Sequence, residues 1–265
     1  MHTIAITREV SSSINDCELS FHRREPINVA QAITQHKAYE ACLAELGIEI
    51  VSLPPQPALP DAVFVEDTAV VLDEVAVIAN PGAASRRGEV TSIAKALAEY
   101  RPLRLLTERA TLDGGDVLRI GRLLFVGVSQ RTNHAGLNQL NEFLNPYDYR
   151  IQPVAVRGCL HLKSACCGLD NNTILINRSW IDTEQFRGFD LLDLPKEEPA
   201  AANVLPVGDV VIMPACFPRT QALLQERGFR VRPIDVSELQ KAEAGVTCCS
   251  LIFDRLPAGL SRMDA

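Results

Sequence analysis

The chain has 265 residues and a mass of 29.0 kDa, which is enough for one large domain or two modest ones with buried cores. A formal net charge of −7 and the absence of a basic cluster argue against nucleic-acid binding. No apolar run reaches the ~20 residues that span a bilayer, and residues 1–8 resemble an opening strand more than a secretory signal. The eight cysteines include no Cys-x-x-Cys pair, which predicts free thiols, no structural zinc and a reducing, cytoplasmic location.

In chain order, the sequence opens with a predicted strand, a helix over Val29–Leu46 and a strand over Ile48–Leu53. Four similar units follow, each with a hairpin of two apolar strands, a helix and one more strand. The hairpins turn at Asp73–Glu74, Gly121–Arg122, Asp170–Asn172 and Gly208–Asp209. The helices are predicted over Ser85–Tyr100, Asn133–Leu144, Ile181–Phe186 and Arg219–Arg227, and the strands after them over Leu103–Leu106, Ile151–Val156, Leu191–Leu194 and Val231–Val236. A last strand is predicted over Cys248–Phe253.

Polar residues introduce these apolar strands at regular intervals. Glu66, Asp113, His161, Asn203 and Cys248 are separated by 47, 48, 42 and 45 residues, a period typical of repeat architectures. The unit is strand, strand, helix, strand, repeated five times, with the two chain ends sharing one unit. A closed ring is favoured because an open array would leave unpaired strand edges. We therefore predict an α/β fold, a five-bladed pseudo-symmetric β/α propeller around a central active-site pore, as a single catalytic domain over residues 1–265. Two separate α/β domains are the alternative.

A cysteine nucleophile is the first functional candidate. A catalytic thiol needs a partner that handles protons and a group that orients this partner. Cys248 begins the last predicted strand, and His161 is the one histidine of five at a repeat position. Asp113 is the repeat-position acid best placed to orient an imidazole. A free cysteine is also often a small buried apolar residue, so packing is the alternative for Cys248. Cys249, next in an alternating strand, is predicted to face away and pack.

Charged residues in apolar surroundings are the second candidates. Glu66 and Asp67 lie among apolar neighbours, where a carboxylate pair needs a cationic partner. A planar guanidinium would match them, since its N–H groups fit carboxylate oxygens. Arg86 stands at a predicted helix start, where an arginine opposes the helix dipole, and this hints at an anion site there. Solvent exposure is the commoner explanation for Arg86 and for Arg131, and for Asp61 it has the same weight as a functional role.

Six short motifs occur in the order and spacing of a known family between about residues 3 and 254. They are Phe64–Asp67, Pro81–Arg87, Leu112–Asp116, Arg131–Asn133, Leu160–Lys163 and Thr247–Ser250. Together they resemble the dimethylarginine dimethylaminohydrolases, which belong to the guanidine-modifying enzymes with the arginine deiminases and amidinotransferases. The resemblance implies the same five-bladed propeller that the repeat spacing predicts.

The resemblance also implies a role for each motif. Cys248 would be the nucleophile, His161 the general acid and base, and Asp113 its orienting acid, where some members carry Glu. The remaining residues would bind substrate: Glu66 and Asp67 the guanidinium, Arg86 and Arg131 the α-carboxylate, and Leu19, Asp61 and the backbone near Ala242 the rest of the amino acid. Leu19 falls within Ser11–Arg24, which matches the family's mobile lid.

The implied reaction is hydrolysis of N(ω)-methylated arginine, either asymmetric dimethylarginine or monomethylarginine. The products would be citrulline and di- or monomethylamine, formed through a covalent thiouronium on Cys248, with no metal or organic cofactor. The expected partner is this small substrate, with no nucleic acid and no membrane, and family habit suggests a homodimer.

Three other functions stay open. A deiminase-type hydrolase would act on another free guanidine compound such as unmethylated arginine and release ammonia. An amidinotransferase would pass the amidino group to an amine, although such enzymes resemble longer chains. A propeller of this fold could also be a non-catalytic binding protein, which requires the cysteine, histidine and acid to coincide by chance.

Overall fold

The computed structural model describes residues 2–107 and 109–256. Within these ranges fifteen strands form five three-stranded sheets. The strands are β1 Thr3–Arg8, β2 Glu49–Leu53, β3 Ala69–Val71, β4 Ala76–Ile78, β5 Leu103–Leu105, β6 Val117–Ile120, β7 Leu123–Val128, β8 Arg150–Ala155, β9 Cys166–Gly168, β10 Thr173–Ile176, β11 Asp190–Asp193, β12 Leu205–Val207, β13 Val210–Pro214, β14 Arg230–Ile234 and β15 Leu251–Asp254. The sheet orders are β15-β1-β2, β3-β4-β5, β6-β7-β8, β9-β10-β11 and β12-β13-β14.

All five sheets share one topology. The middle strand pairs antiparallel with the strand before it in the repeat and parallel with the strand after it. In the third sheet of the chain, for example, Val117 lies opposite Val126 across the hairpin, and Leu123 lies opposite Arg150 across the parallel pair. The parallel pairing requires a crossover, and a helical segment supplies it. The predicted strand–strand–helix–strand unit is therefore confirmed.

The helices of the described ranges are α1 Val29–Glu45, α2 Val90–Leu97, α3 His134–Leu144, α4 Leu162–Ala165, α5 Pro218–Glu226 and α6 Ser237–Gln240. Two of them, α1 and α3, begin directly after a residue whose side chain caps a first N–H group. The Asn28 side chain accepts a hydrogen bond from the N–H of Gln31 at the start of α1 (3.1 Å), and Asn133 does the same for Gly136 in α3 (2.8 Å). α5 begins at Pro218, whose fixed φ suits a first helical turn.

Three predicted elements differ from the structure in type or by more than two residues at one end. The helix predicted over Ser85–Tyr100 begins as tight 3-10 turns over Ala84–Glu89, because Arg86 and Glu89 turn inward and bond to each other. The helix predicted over Ile181–Phe186 is a single 3-10 turn over Thr183–Phe186. The strand predicted over Cys248–Phe253 was wrong at its start, since residues 247–249 form a 3-10 turn and β15 begins only at Leu251. Cys249 is buried, as predicted, but as part of this turn.

Along each middle strand, one side chain faces the sheet before it in the ring, and the next side chain faces the sheet after it. Side chains alternate along a strand, so a strand buried on both faces is a continuous apolar run. The pairs that share one apolar cluster are Ile6 with Ile78, Val77 with Val126, Phe125 with Ile174, Leu175 with Met213, and Ile212 with Ala5. The fifth pair joins the last sheet to the first, which closes the ring. The five-bladed propeller is confirmed.

The chain ends meet within one sheet. Thr3 of β1 lies opposite Asp254 of β15, and Ile4 of β1 lies opposite Glu49 of β2. All eight cysteines are free. None of the helices in the described ranges is long and apolar enough to cross a membrane.

Candidate active site

Two glycines let the polar turns of neighbouring blades touch. An added Cβ at Gly114 would lie 2.0 Å from the carbonyl oxygen of Glu66, and one at Gly115 would lie 2.6 Å from the His161 Nδ1. Real Cβ atoms do not approach other atoms so closely, so these positions require glycine. The N–H of Gly115 donates to the Asp67 carboxylate (3.0 Å). The glycine pair of the Leu112–Asp116 motif therefore packs this motif against Asp67 and His161.

His161 is a buried imidazole between two carboxylates. Its Nε2 is 3.0 Å from the Asp113 Oδ2, and its Nδ1 is 3.7 Å from the Asp67 Oδ1. Asp113 also accepts a hydrogen bond from the N–H of Gly82 (2.9 Å), which fixes the carboxylate. Burial alone would lower the pKa of His161, but Asp67 and the bond to Asp113 raise it to about 9. The imidazole is therefore charged at neutral pH, ready to donate a proton.

Asp67 is shared between His161 and Arg86. Arg86 Nη1 lies 2.5 Å from the Asp67 Oδ2, and Arg86 Nη2 donates to Glu89 (2.9 Å) and to the carbonyl oxygen of Phe64 (2.9 Å). Burial opposes ionisation of Asp67, but the two cations outweigh it and lower its pKa to about 2. Burial raises the pKa of Glu89 to about 7 in spite of Arg86. Most N–H groups of Arg86 are thus already bonded within the protein.

Cys248 lies in the turn before β15, where the Asn203 side chain holds the backbone. Asn203 accepts a hydrogen bond from the N–H of Thr247 (3.0 Å) and donates to its hydroxyl (3.0 Å). The N–H of Gly245 donates to the Cys248 sulfur (3.3 Å). Burial, with smaller contributions from Glu66 and Asp67, raises the pKa of Cys248 to about 12. The thiol therefore needs an added positive charge nearby before it ionises at neutral pH.

One small cavity gathers most of the predicted site residues. Seven of the ten predicted residues are among those that line it, namely Asp61, Asp67, Arg86, Arg131, His161, Ala242 and Cys248. Asp113 lies directly behind His161. Other lining residues are Glu18, Phe64, Leu160, Glu243 and Ala244. This lid-side cavity measures ≈ 20 Å³, which leaves room for about one water and not for an amino acid. The structure is thus in a closed state.

The predicted lid, residues 11–24, covers this cavity. The N–H of Glu18 donates to Asp61 (3.0 Å), and its carboxylate accepts a hydrogen bond from the Ser85 hydroxyl. Arg131 Nη2 donates to the Ser20 hydroxyl (3.2 Å). Between these residues, the side chain of Leu19 packs on an apolar cluster rather than among the residues that line the cavity.

Glu66 faces away from the lid. Its carboxylate accepts hydrogen bonds from Lys163 Nζ (2.5 Å) and from the Thr247 hydroxyl (2.7 Å). These three residues line a second cavity of ≈ 390 Å³, here called the far cavity. Its walls include residues of the first strand of each sheet, namely β3, β6, β9, β12 and β15. The cationic partner of Glu66 in the closed state is therefore Lys163, a residue with no distinctive context in the sequence.

One group of residues has the geometry to hold a metal ion. Among the described residues, ligand atoms of Asp67, Asp113 and His161 lie within 4.8 Å of one another. Hydrogen bonds and the charge of Arg86 already account for this clustering. We therefore interpret it as a proton-handling cluster and not as a metal centre.

Comparison with known proteins gives the family. A family model described as N,N dimethylarginine dimethylhydrolase, eukaryotic, matches residues 3–253. The chain belongs to the dimethylarginine dimethylaminohydrolase family. The N(G),N(G)-dimethylarginine dimethylaminohydrolase of Pseudomonas aeruginosa is 35% identical over 250 residues, with 94% of this chain and 98% of that protein covered. The enzyme of the same name from Streptomyces coelicolor is 37% identical over 249 residues, with 93% and 95% covered.

A solved structure of the Pseudomonas aeruginosa enzyme has the same fold. It is a cysteine-to-serine mutant in complex with citrulline. Its TM-score to this chain is 0.91 at 33% identity, and the match covers 96% of this chain and all of that one. Members of this family are hydrolases that act on carbon–nitrogen bonds of linear amidines.

Sequence reasoning missed several residues around the cavity. Lys163 belongs to the Leu160–Lys163 motif, but no pattern in the sequence pairs it with Glu66, which lies 97 positions away. Glu89 belongs to the same 3-10 turns as Arg86, and a buried arginine needs such a partner. Asn203 was recognised as a repeat position, but its bonds to Thr247 depend on the tertiary fold. Nothing in the sequence pattern indicated Glu18 or Glu243.

Proposed function

We propose that this protein hydrolyses N(ω)-methylated L-arginine to citrulline and methylamine or dimethylamine. The observation that carries the proposal is the buried His161 between Asp113 and Asp67, at a cavity that Cys248 also lines. Membership of the family and the citrulline complex of the Pseudomonas aeruginosa relative support the choice of substrate class.

The first step depends on the charge of the substrate. A guanidinium held by Asp67 beside Cys248 brings a cation to a thiol whose pKa is otherwise about 12, and so favours the thiolate. The thiolate attacks the guanidino carbon, and a carbon–sulfur bond forms. The charged His161 gives its proton to the departing amine as the carbon–nitrogen bond breaks. The products of this half-reaction are a thiouronium on Cys248 and a neutral imidazole.

The second step uses the imidazole left by the first. Neutral His161 takes a proton from a water, and the resulting hydroxide attacks the same carbon. The carbon–sulfur bond breaks, and the proton of the new hydroxyl passes to the departing sulfur as citrulline leaves. Cys248 is then a thiol and His161 is charged, as at the start. Asp113 keeps the imidazole oriented through both steps.

The substrate-binding roles also remain proposals. Asp67 is free to hold the guanidinium only while it stays ionised, which its low pKa supports. Arg131 has fewer bonds within the protein than Arg86, so we assign it the larger share of the α-carboxylate. Asp61, Leu19 and the backbone at Ala242 would surround the α-ammonium group. Glu66 would support the guanidinium indirectly. It lies behind Cys248, where its carboxylate bonds to Thr247 and Lys163.

A product assay tests the substrate. Asymmetric dimethylarginine, monomethylarginine and arginine are supplied separately, and citrulline, dimethylamine, methylamine and ammonia are measured. Citrulline with a stoichiometric methylated amine is expected. Turnover of arginine alone, with ammonia release, would instead assign a deiminase-type hydrolase, and no turnover of any of the three would overturn the proposal.

The other finer proposals concern the state of the protein. We infer one catalytic domain over residues 1–265, a cytoplasmic location and a homodimer. Light scattering coupled to gel filtration measures the last of these directly. A mass of about 29.0 kDa would contradict the dimer.

A further inference from the structure

Three consecutive backbone N–H groups of the lid converge on one carboxylate. The N–H groups of Ser20, Phe21 and His22 all donate to the side chain of Glu243, with distances of 2.9 Å for Ser20 and 2.5 Å for Phe21. These residues are more than 220 positions apart in the chain. A concave array of backbone N–H groups is a recognised anion site. Here the anion is supplied by the protein itself.

Glu243 has an unfavourable backbone conformation. Its φ is +59°, in the left-handed region that residues other than glycine rarely adopt. Asp148 is the other non-glycine residue of the described ranges in this region, and aspartate tolerates it better than glutamate does. Such strain persists only where the surroundings impose it, often at functional sites. The three bonds from the lid are the evident compensation.

Two other polar contacts of the lid are made to groups that a substrate would also use. The N–H of Glu18 bonds to Asp61, and the hydroxyl of Ser20 bonds to Arg131. An α-ammonium at Asp61 and an α-carboxylate at Arg131 would compete with these contacts. The Glu243 carboxylate is not one of the groups assigned to the ligand, so its bonds to the lid can persist when substrate is bound.

The chain segment around Glu243 also holds the residues that directly follow the lid. Glu238 accepts a hydrogen bond from the N–H of Asn28 (2.8 Å), and Lys241 donates to the carbonyl oxygen of Pro26 (3.1 Å). The next residue, Ala242, lines the cavity, and Gly245 donates to the sulfur of Cys248. Lid closure and placement of the nucleophile thus depend on one stretch, residues 238–248.

We propose that Glu243 is a positioning residue that latches the lid over the substrate. The inference rests on the proposed function for its kinetic consequence, while the latch itself can be measured without turnover. The carboxylate keeps Glu18–His22 closed over the bound amino acid, which excludes water before the amine leaves.

The test compares variants of Glu243 that separate the effect of its carboxylate from the effect of its backbone conformation. Glu243→Asn removes the charge but keeps a residue that tolerates positive φ. Glu243→Asp keeps the charge on a shorter side chain, and Glu243→Gly relieves the backbone and removes the side chain. Glu226→Gln, on the exposed end of α5, is the matched control. Hydrogen exchange of the Ser20–His22 amides is measured with and without citrulline, and kcat and KM are measured for asymmetric dimethylarginine.

The expected result is faster exchange of the lid amides in Glu243→Asn and Glu243→Gly. KM should rise by about tenfold or more, the size expected for loss of hydrogen bonds to a charged group, while kcat changes far less. Glu243→Asp should lie between these variants and the wild type, and Glu226→Gln should match the wild type.

Unchanged lid exchange in Glu243→Asn and Glu243→Gly would overturn the latch. So would an equal fall in kcat and kcat/KM with KM unchanged, since that pattern indicates a role only in the chemical step. If Glu243→Asn does not fold, Glu243→Gly and Glu243→Asp decide by the same exchange measurement. Faster lid exchange in a protein that turns over no methylated arginine would refute the proposed function and leave the latch standing.

Discussion

The lid-side cavity and the far cavity are lined by neighbouring residues of the same turns, yet they differ in volume and in the charged groups that line them. Asp67 and Cys248 line the lid-side cavity, whereas Glu66 and Thr247 line the far cavity. The lid-side cavity measures ≈ 20 Å³ and the far cavity ≈ 390 Å³. The larger space is therefore not the one that collects the proposed nucleophile Cys248, the imidazole of His161 and the arginines.

The adjacent carboxylates show where the difference arises. Burial raises the pKa of Glu66, and the single cation Lys163 does not reverse this. Burial acts on Asp67 in the same direction, but His161 and Arg86 together hold its pKa at about 2. The number of cationic partners, and not depth in the protein, decides which carboxylate is firmly ionised. From this contrast we expect substitutions at the lid-side cavity to lower turnover. Substitutions at the far cavity should mainly lower the free energy of unfolding.

The largest effect is expected from Cys248→Ser. The weaker nucleophile should lower turnover by at least ~10⁴-fold, as for other enzymes that lose their nucleophile, while substrate still binds. The measurement is citrulline release, with calorimetry for binding. Cys249→Ser is the matched control, because its sulfur packs in an apolar cluster, and it should retain most activity. A fully active Cys248→Ser variant would refute the assignment of the nucleophile.

His161→Gln should lower turnover by ~10²- to 10⁴-fold, the usual contribution of a general acid and base. The same variant has a second signature in stability. The pKa of His161 rises from 6.5 to about 9 on folding, so its charged form stabilises the folded state fully below pH 6.5. This stabilisation is lost as the pH rises through about 9. In urea unfolding, the free energy of unfolding of the wild type should therefore fall more between pH 6 and pH 9.5 than that of His161→Gln. Equal falls in the two proteins would contradict the raised pKa.

At the far cavity, Lys163→Met should mainly destabilise the fold. It leaves the buried Glu66 without a cation, which costs about 3 kcal/mol or more in comparable sites. The double variant Lys163→Met with Glu66→Gln should be less destabilised than the sum of the single variants, as measured by urea unfolding. Additive effects would mean that the ion pair is not coupled. Loss of turnover as complete as in Cys248→Ser, in a protein that remains folded, would break the contrast between the cavities.

The smallest effect is expected from Asp113→Glu. The family resemblance implies that glutamate is accepted at this position, so the added methylene should cost only local repacking, with activity within about tenfold of the wild type. Asp113→Asn is the informative companion, because it removes a charge that raises the pKa of His161. The pH–rate profile of this variant should shift to lower pH. An unshifted profile would show that Asp113 does not set the protonation of the imidazole.

The parts of this molecule that the sequence predicted are those with a repeated signal. The apolar runs alternate between faces in every blade, and the interval between Asp113 and His161 repeats the interval between Glu66 and Asp113 to within one residue. Cys248 and its partners could therefore be grouped by their spacing along the chain. The family resemblance supplied the roles of Arg86 and Arg131.

The other features of the site depend on the directions of side chains and on long-range contacts, which a sequence pattern does not contain. Adjacent residues Glu66 and Asp67 look equivalent in the sequence, but the 3-10 turn over Val65–Thr68 directs them to opposite cavities. The pairing of Lys163 with Glu66 joins residues 97 positions apart, and the contact of Glu243 with the lid joins residues more than 220 apart. Such contacts arise only when the ring closes.

The pairing of β1 with β15 has a consequence for how the enzyme is made. Thr3 and Asp254 must meet before that blade exists, so the whole stretch between them has to leave the ribosome first. Bringing together such distant partners is entropically costly and slow compared with forming the four local blades. A nascent chain would therefore fold its four local blades early, while Cys248, in the turn before β15, reaches its place only after β15 has been made.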